Sequence, residues 1–163
     1  MTSTRIGVRG QIVDLEKRVR DQAGSTPACH TMVIAIDFDG TCTTHAFPYI
    51  GEDIGAQPVL KELIYNKHQL ILYTMRSGDT QQQAEQWFKD NDIELYASQR
   101  NPTQSRWTQS PKCYAQLYID DAALGIPLSF DRQISDRDFV NWKTTRLLLL
   151  NRGIIKDSGK LFE

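Results

Sequence analysis

Five residues in a row, Met32-Val33-Ile34-Ala35-Ile36, are apolar, and the run stops on Asp37. A strand with one wet face alternates, so a short uninterrupted run predicts a strand buried on both faces. Leu70-Ile71-Leu72-Tyr73 has the same character and stops on Thr74, and Gln116-Leu117-Tyr118-Ile119 predicts a strand that stops on Asp120. Ile93 to Ala97 predicts a further short strand, and Ile126 to Phe130 a fifth. Between them Val59 to Asn66 has helical period, and Asp79 to Asp90 predicts a helix with Ala84, Trp87 and Phe88 on one face. Residues 98–110 read as a polar loop and Pro111 to Ala115 as a helical turn. A last helix is expected from a Ser135 cap to Asn151, with Gly153 as the glycine just past its end. Strands alternating with helices predict an α/β fold with a Rossmann-like, doubly wound parallel sheet covered on both faces.

The 163 residues allow one domain and a short appendage. Hydrophobic content of 40% and charged content of 24% exclude a disordered chain, a collagen-like chain and a disulfide miniprotein. A formal net charge of −1 gives no whole-chain signal for nucleic acid or membrane surfaces. Cys29, Cys42 and Cys113 have no CxxC spacing and read as free thiols in a reducing compartment. No apolar segment reaches a membrane span, and the opening residues carry no apolar core of a secretory signal, so a cytoplasmic protein is expected.

Residues 1–31 differ from the rest. Val8, Ile12, Leu15 and Val19 recur at spacings of four and three, which predicts an amphipathic helix, with Gly24-Ser25-Thr26-Pro27 as a linker. This helix is expected to pack on its own domain or on a second copy of the chain. The catalytic unit is expected over residues 32–163.

In parallel sheets ligands bind beyond the carboxyl ends of the strands. The chemistry-bearing residues fall there. Asp37 and Asp39 leave the first strand in Asp37-Phe38-Asp39-Gly40-Thr41, and Asp120 and Asp121 leave the fourth. Four carboxylates at one edge repel one another unless neutralised, and a hard divalent cation, Mg²⁺, is the simplest neutraliser. A calcium loop is a poor fit, because Ala35 stands where its first acid belongs. Thr74, Met75 and Arg76 precede a helix and together offer a hydroxyl, a backbone amide and a guanidinium to an anion. Lys112 lies on the expected turn before the fourth strand and is placed over the same edge. A metal, a carboxylate and several phosphate-binding donors suit phosphoryl transfer.

With DFDGT at Asp37–Thr41, LILYT ending at Thr74, Lys112, and YIDD ending at Asp121, the sequence resembles the haloacid dehalogenase superfamily of phosphotransferases over about Met32 to Phe130. The resemblance implies Asp37 as nucleophile and Asp39 as general acid and then base. It implies Thr74 and Lys112 on the phosphoryl group, and Mg²⁺ on Asp37, the Asp39 carbonyl and Asp120. Asp121 would ligate the metal through water or orient Lys112. An acid two residues after the nucleophile resembles the phosphatases and phosphomutases of the superfamily. The short connections resemble its capless branch, which includes small bacterial and phage phosphatases and the phosphatase domain of polynucleotide kinase-phosphatases.

The substrate implied is a small phosphorylated metabolite such as a nucleotide. A 3′-phosphorylated nucleic-acid end is the enzymatic alternative, with Trp107 stacking a base and Arg100 and Arg106 holding phosphates. A non-catalytic binding module recruiting a partner through residues 1–31 is the alternative outside enzymes. His45 and Tyr49 are candidates for substrate contact, and Cys42 reads as a packing residue.

Overall fold

The computed structural model describes residues 30–156. The predicted helix at the start of the chain, its packing on a second copy, and Cys29 lie outside these residues. Strand β1 (Val33–Ile36) forms the middle of a parallel sheet. β2 (Gln69–Leu72) pairs with it from Val33↔Gln69, and β4 (Leu117–Ile119) pairs on the other side from Ile34↔Leu117. β3 (Ala97–Ser98) adds to β2, giving the order β3-β2-β1-β4.

The third strand starts later than its apolar run predicts. Asp92 turns the chain with φ 54°, and the Ile93 amide returns to the Phe88 carbonyl at 2.9 Å. Ile93 is thus spent on closing a helix, and sheet pairing resumes at Tyr96, whose N–H reaches Leu70.

Three helices accompany the sheet: α1 (Ala56–Tyr65), α2 (Gly78–Asp90) and α3 (Trp142–Asn151). α1 begins three residues before the apolar pattern does. Pro58 sits in its first turn, where a missing N–H costs nothing. α2 opens on a capping box between Ser77 and Thr80. α3 starts at an Asn141 cap, whose side chain accepts from the Thr144 N–H, and not at Ser135. The Ser135 hydroxyl instead bonds Arg137 in a turn. Between them Phe139–Val140 (β6) pairs antiparallel with Leu128–Ser129 (β5), so the expected fifth strand lies outside the parallel sheet. Gly153 takes φ 65° just past α3, as the sequence predicts.

Successive strand residues face opposite sides. Ile34, Ile36, Leu70 and Leu72 share one core with Val59, Leu60 and Leu63 of α1, Ala84 and Phe88 of α2, and Leu149 of α3. All three helices therefore serve one face. Arg146 of α3 forks onto the fully buried Glu62 of α1 at 2.7 and 2.8 Å. Ala35 and Ile71 point the other way and are also buried. The chain between β3 and β4, residues 99–116, lies toward this side, where Tyr118, the register partner of Ala35, donates to the Cys113 carbonyl. Here the structure departs from the expected turn at Pro111–Ala115: the helical piece is a 3₁₀ turn at Gln104–Arg106. Buried Gln104 donates to the Ser110 and Lys112 carbonyls and accepts from the Tyr114 N–H, and buried Asn101 donates to the Tyr114 carbonyl. These two amide side chains supply the partners that a helix ladder would otherwise provide.

Candidate functional site

β2 and β3 lie to one side of β1 and β4 lies to the other, so the winding reverses between β1 and β4. A crevice beyond the carboxyl ends of such a strand pair is where ligands bind. Asp37 directly follows β1 and Asp120 directly follows β4. Asp37, Asp120 and Asp121 each offer a carboxylate oxygen, and these atoms lie within 4.8 Å of one another.

The pocket floor is built from the DFDGT turn. The buried Thr41 hydroxyl donates to Asp37 Oδ2 at 3.0 Å and accepts the Asp121 N–H at 3.0 Å, tying one strand end to the other. The Cys42 thiol donates to the Asp37 carbonyl at 3.2 Å. Burial first, then the Asp37 and Asp39 charges, hold that thiol well above its ordinary range, so Cys42 packs as a neutral group. Gly40 has φ 78°. A Cβ there would meet His45 Nε2 at 2.2 Å and Asp121 Oδ2 at 2.8 Å. Only glycine leaves the slot in which His45 Nε2 reaches Asp121 Oδ2 at 3.0 Å. Burial raises the Asp37 carboxyl from 3.8 to about 7, and Asp120 and Asp121 add to the rise. The Phe38 backbone and the Thr41 hydroxyl oppose it through hydrogen bonds.

Asp39 does not join the other three carboxylates. Its two oxygens receive Arg76 Nε and Nη2, both at 2.7 Å. The Arg76 guanidinium also donates to the Pro48 carbonyl at 3.1 Å and the Tyr49 carbonyl at 2.6 Å, and its carbon lies 5.0 Å from the Phe38 ring centre and 5.4 Å from that of Phe47. The Arg76 side chain is 1% exposed. The expectation that Arg76 binds phosphate is corrected: the guanidinium is buried and engaged on every side. The Asp39 carboxylate is likewise no metal ligand in this arrangement, which leaves its backbone carbonyl as the group that the resemblance assigned.

Thr74 stands at the carboxyl end of β2, and its hydroxyl accepts the Arg76 N–H at 3.2 Å. Gln99, from the tract read as plain loop, brackets it. The Gln99 side chain accepts from the Thr74 N–H and donates to the Thr74 and Arg76 carbonyls. No local signal marks this glutamine, because its partners lie a whole helix and strand away. Met75 is almost fully exposed. Lys112 does not reach the carboxylates either. Its ammonium stands over the Tyr118 ring, 5.6 Å from the centroid, and among the described residues no carboxylate lies within ion-pair distance of it. The helical turn expected to carry it forward is absent. Trp107 meets Tyr114 edge-on at 5.1 Å and anchors the 99–116 segment to itself.

No protein-family model and no curated protein matches the chain. Among solved structures, the conserved protein coded by a locus of Bacteroides thetaiotaomicron matches with a TM-score of 0.61 and 30% sequence identity, over 82% of this chain and 99% of that one. The two chains belong to one family.

The family relative is matched nearly end to end. In this member the three converging carboxylates form an all-oxygen donor set. Such a set fits a hard divalent cation such as Mg²⁺ and not a thiol-seeking metal. Burial is the main cause of the Asp37 rise, and the smaller part that Asp120 and Asp121 add is the repulsion that such a cation would relieve. Among the described residues no helix is long and apolar enough to cross a membrane.

Proposed function

We propose that the chain is a Mg²⁺-dependent phosphomonoester hydrolase of the haloacid dehalogenase type, from its capless branch. The observation that carries this reading is the meeting of Asp37, Asp120 and Asp121 at the point where the sheet reverses its winding, directly behind the DFDGT turn. The Asp37 carboxylate attacks phosphorus, an aspartyl-phosphate bond forms, and the ester P–O bond breaks. Asp39, which first takes up a proton from solvent while still bonded to Arg76, gives that proton to the departing alkoxide. Water then attacks the same phosphorus and gives a proton to Asp39, and inorganic phosphate leaves as Asp37 is restored. Arg76 orients Asp39 throughout, and each Asp39 oxygen keeps a further lone pair for the proton. The Thr74 hydroxyl and the Met75 amide are the donors nearest the β2 end for the transferring group. Bound Mg²⁺ on Asp37, the Asp39 carbonyl, Asp120 and Asp121 would neutralise charge on the phosphoryl oxygens.

The capless character is supported by the two connections at this edge, residues 37–55 and 99–116, which hold no helix beyond the 3₁₀ turn. Phosphate release from an aryl phosphate, with and without Mg²⁺, tests the reading. Turnover that needs Mg²⁺ and disappears in Asp37→Asn is the expected result. Turnover that persists in that variant, or is indifferent to the metal, overturns it.

A further inference from the structure

Three of the most exposed large apolar side chains stand on two loops that flank Asp39. Phe47 is 65% exposed and Tyr49 is 76% exposed on the segment after β1, and Met75 is 98% exposed on the segment after β2. Single exposed apolar residues are ordinary, whereas several gathered at a site mark a binding surface. These three are gathered by one group. Arg76 holds the Pro48 and Tyr49 carbonyls with the same guanidinium that holds the Asp39 carboxylate, and it follows Met75 in the chain. The wall and the acid therefore keep a fixed relation to one another.

In the hydrolysis proposed above, on which this inference rests, Asp39 protonates the departing oxygen. The leaving group therefore lies beside Asp39 and against these loops. The cationic side chain and the one histidine of the two loops are already committed: Arg76 to Asp39, and His45 to Asp121. No free cationic side chain there remains to hold a second phosphate. The side chains turned outward are two aromatic rings and a thioether, which suit a flat π-face and not a ring of hydroxyls.

We propose that Phe47, Tyr49 and Met75 form the leaving-group wall of the site and select phosphomonoesters whose alcohol carries a planar aromatic group, as a nucleoside does. Arg76 is the positioning residue that sets this wall against Asp39. Because its bonds run to main-chain carbonyls, the wall side chains can be truncated without removing those bonds.

The test compares adenosine 5′-monophosphate with ribose 5-phosphate, which is the same ester without the base. Stacking of one base predicts kcat/KM about 5- to 150-fold higher for the nucleotide. Tyr49→Ala and Met75→Ala are each expected to pull that ratio towards one. A ratio near one in the unaltered protein, or a ratio that survives in both variants, overturns the inference. If neither ester is hydrolysed, the proposed hydrolysis fails, and the wall is judged by calorimetric affinity for the same two compounds. Tighter nucleotide binding that is lost in Tyr49→Ala then upholds the wall, and equal affinities overturn it.

Discussion

Replacing Arg76 with alanine separates a structural role from a substrate-binding one. The side chain is 1% exposed and its Asp39 partner 19% exposed, and the two meet through a two-pronged fork at 2.7 Å. Removing one partner of a buried ion pair leaves the other charge uncompensated and costs about 3–5 kcal/mol. The Pro48 and Tyr49 carbonyls also lose a donor, but they lie on an exposed loop where water replaces it. The total therefore stays near that range. For a domain of this size each kcal/mol moves the midpoint by about 3 °C. Arg76→Ala is thus expected to lower Tm by about 10–15 °C in a thermal melt. Arg76→Lys, which keeps the charge but not the fork, should fall between. A guanidinium used mainly to hold substrate phosphate would behave differently: Tm would move by no more than about 2 °C while inhibition by inorganic phosphate weakened sharply. That pattern would refute the buried-fork argument.

The folded chain holds the Asp37 proton up to about pH 7, against an ordinary value of 3.8. Its stabilising contribution is therefore complete at low pH and is lost as pH rises through about 7. Melts of the metal-free protein should show the unaltered chain losing ground to Asp37→Asn between about pH 4 and 7. A pH-independent difference would contradict this. Gly40→Ala forces a left-handed backbone on a residue with Cβ, at about 1–2 kcal/mol, and drives that Cβ into His45 and Asp121. Lower Tm and weaker Mg²⁺ binding by calorimetry are expected together. Arg146→Ala strands the fully buried Glu62 and should cost about 3 kcal/mol in a urea melt, whereas replacing both residues with leucine should recover most of it.

What the sequence makes legible follows the range of the forces involved. β1 and β2 are read correctly because burial on both faces leaves an unbroken apolar run, and the edge strand β4 is read from a shorter apolar stretch that stops on Asp120. The end of α2 is read correctly because its pattern is local. The start of α3 is misplaced because Ser135 and Asn141 are both capping residues, and only β6 pairing with β5 decides between them. At the site, the carboxylates that directly follow the strands converge as their positions imply. Arg76 does not do what its position implies, because its partner Asp39 is 37 residues away and the sequence around it reads equally well as an anion site. The placement of Lys112 fails for a related reason: the polar stretch before β4 is organised by Gln104 and Asn101, whose long-range bonds leave no local trace.

The DFDGT turn is held from far along the chain. The Val140 N–H donates to the Gly40 carbonyl at 2.8 Å, and Trp142 Nε1 donates to the Thr41 carbonyl at 2.6 Å, a hundred residues later. The residues read first by a ribosome in this corner thus wait for almost the whole domain to be synthesised before their geometry is complete. A nascent chain that has already released Asp37 and Asp120 still lacks the two donors that brace the turn between them. The braces also sit on β6 and α3, which follow the exposed stretch 131–134. A break in the backbone there would divide the protein into a piece bearing every acid of the site and a shorter piece bearing its braces, so that the chemistry would report whether the two had met.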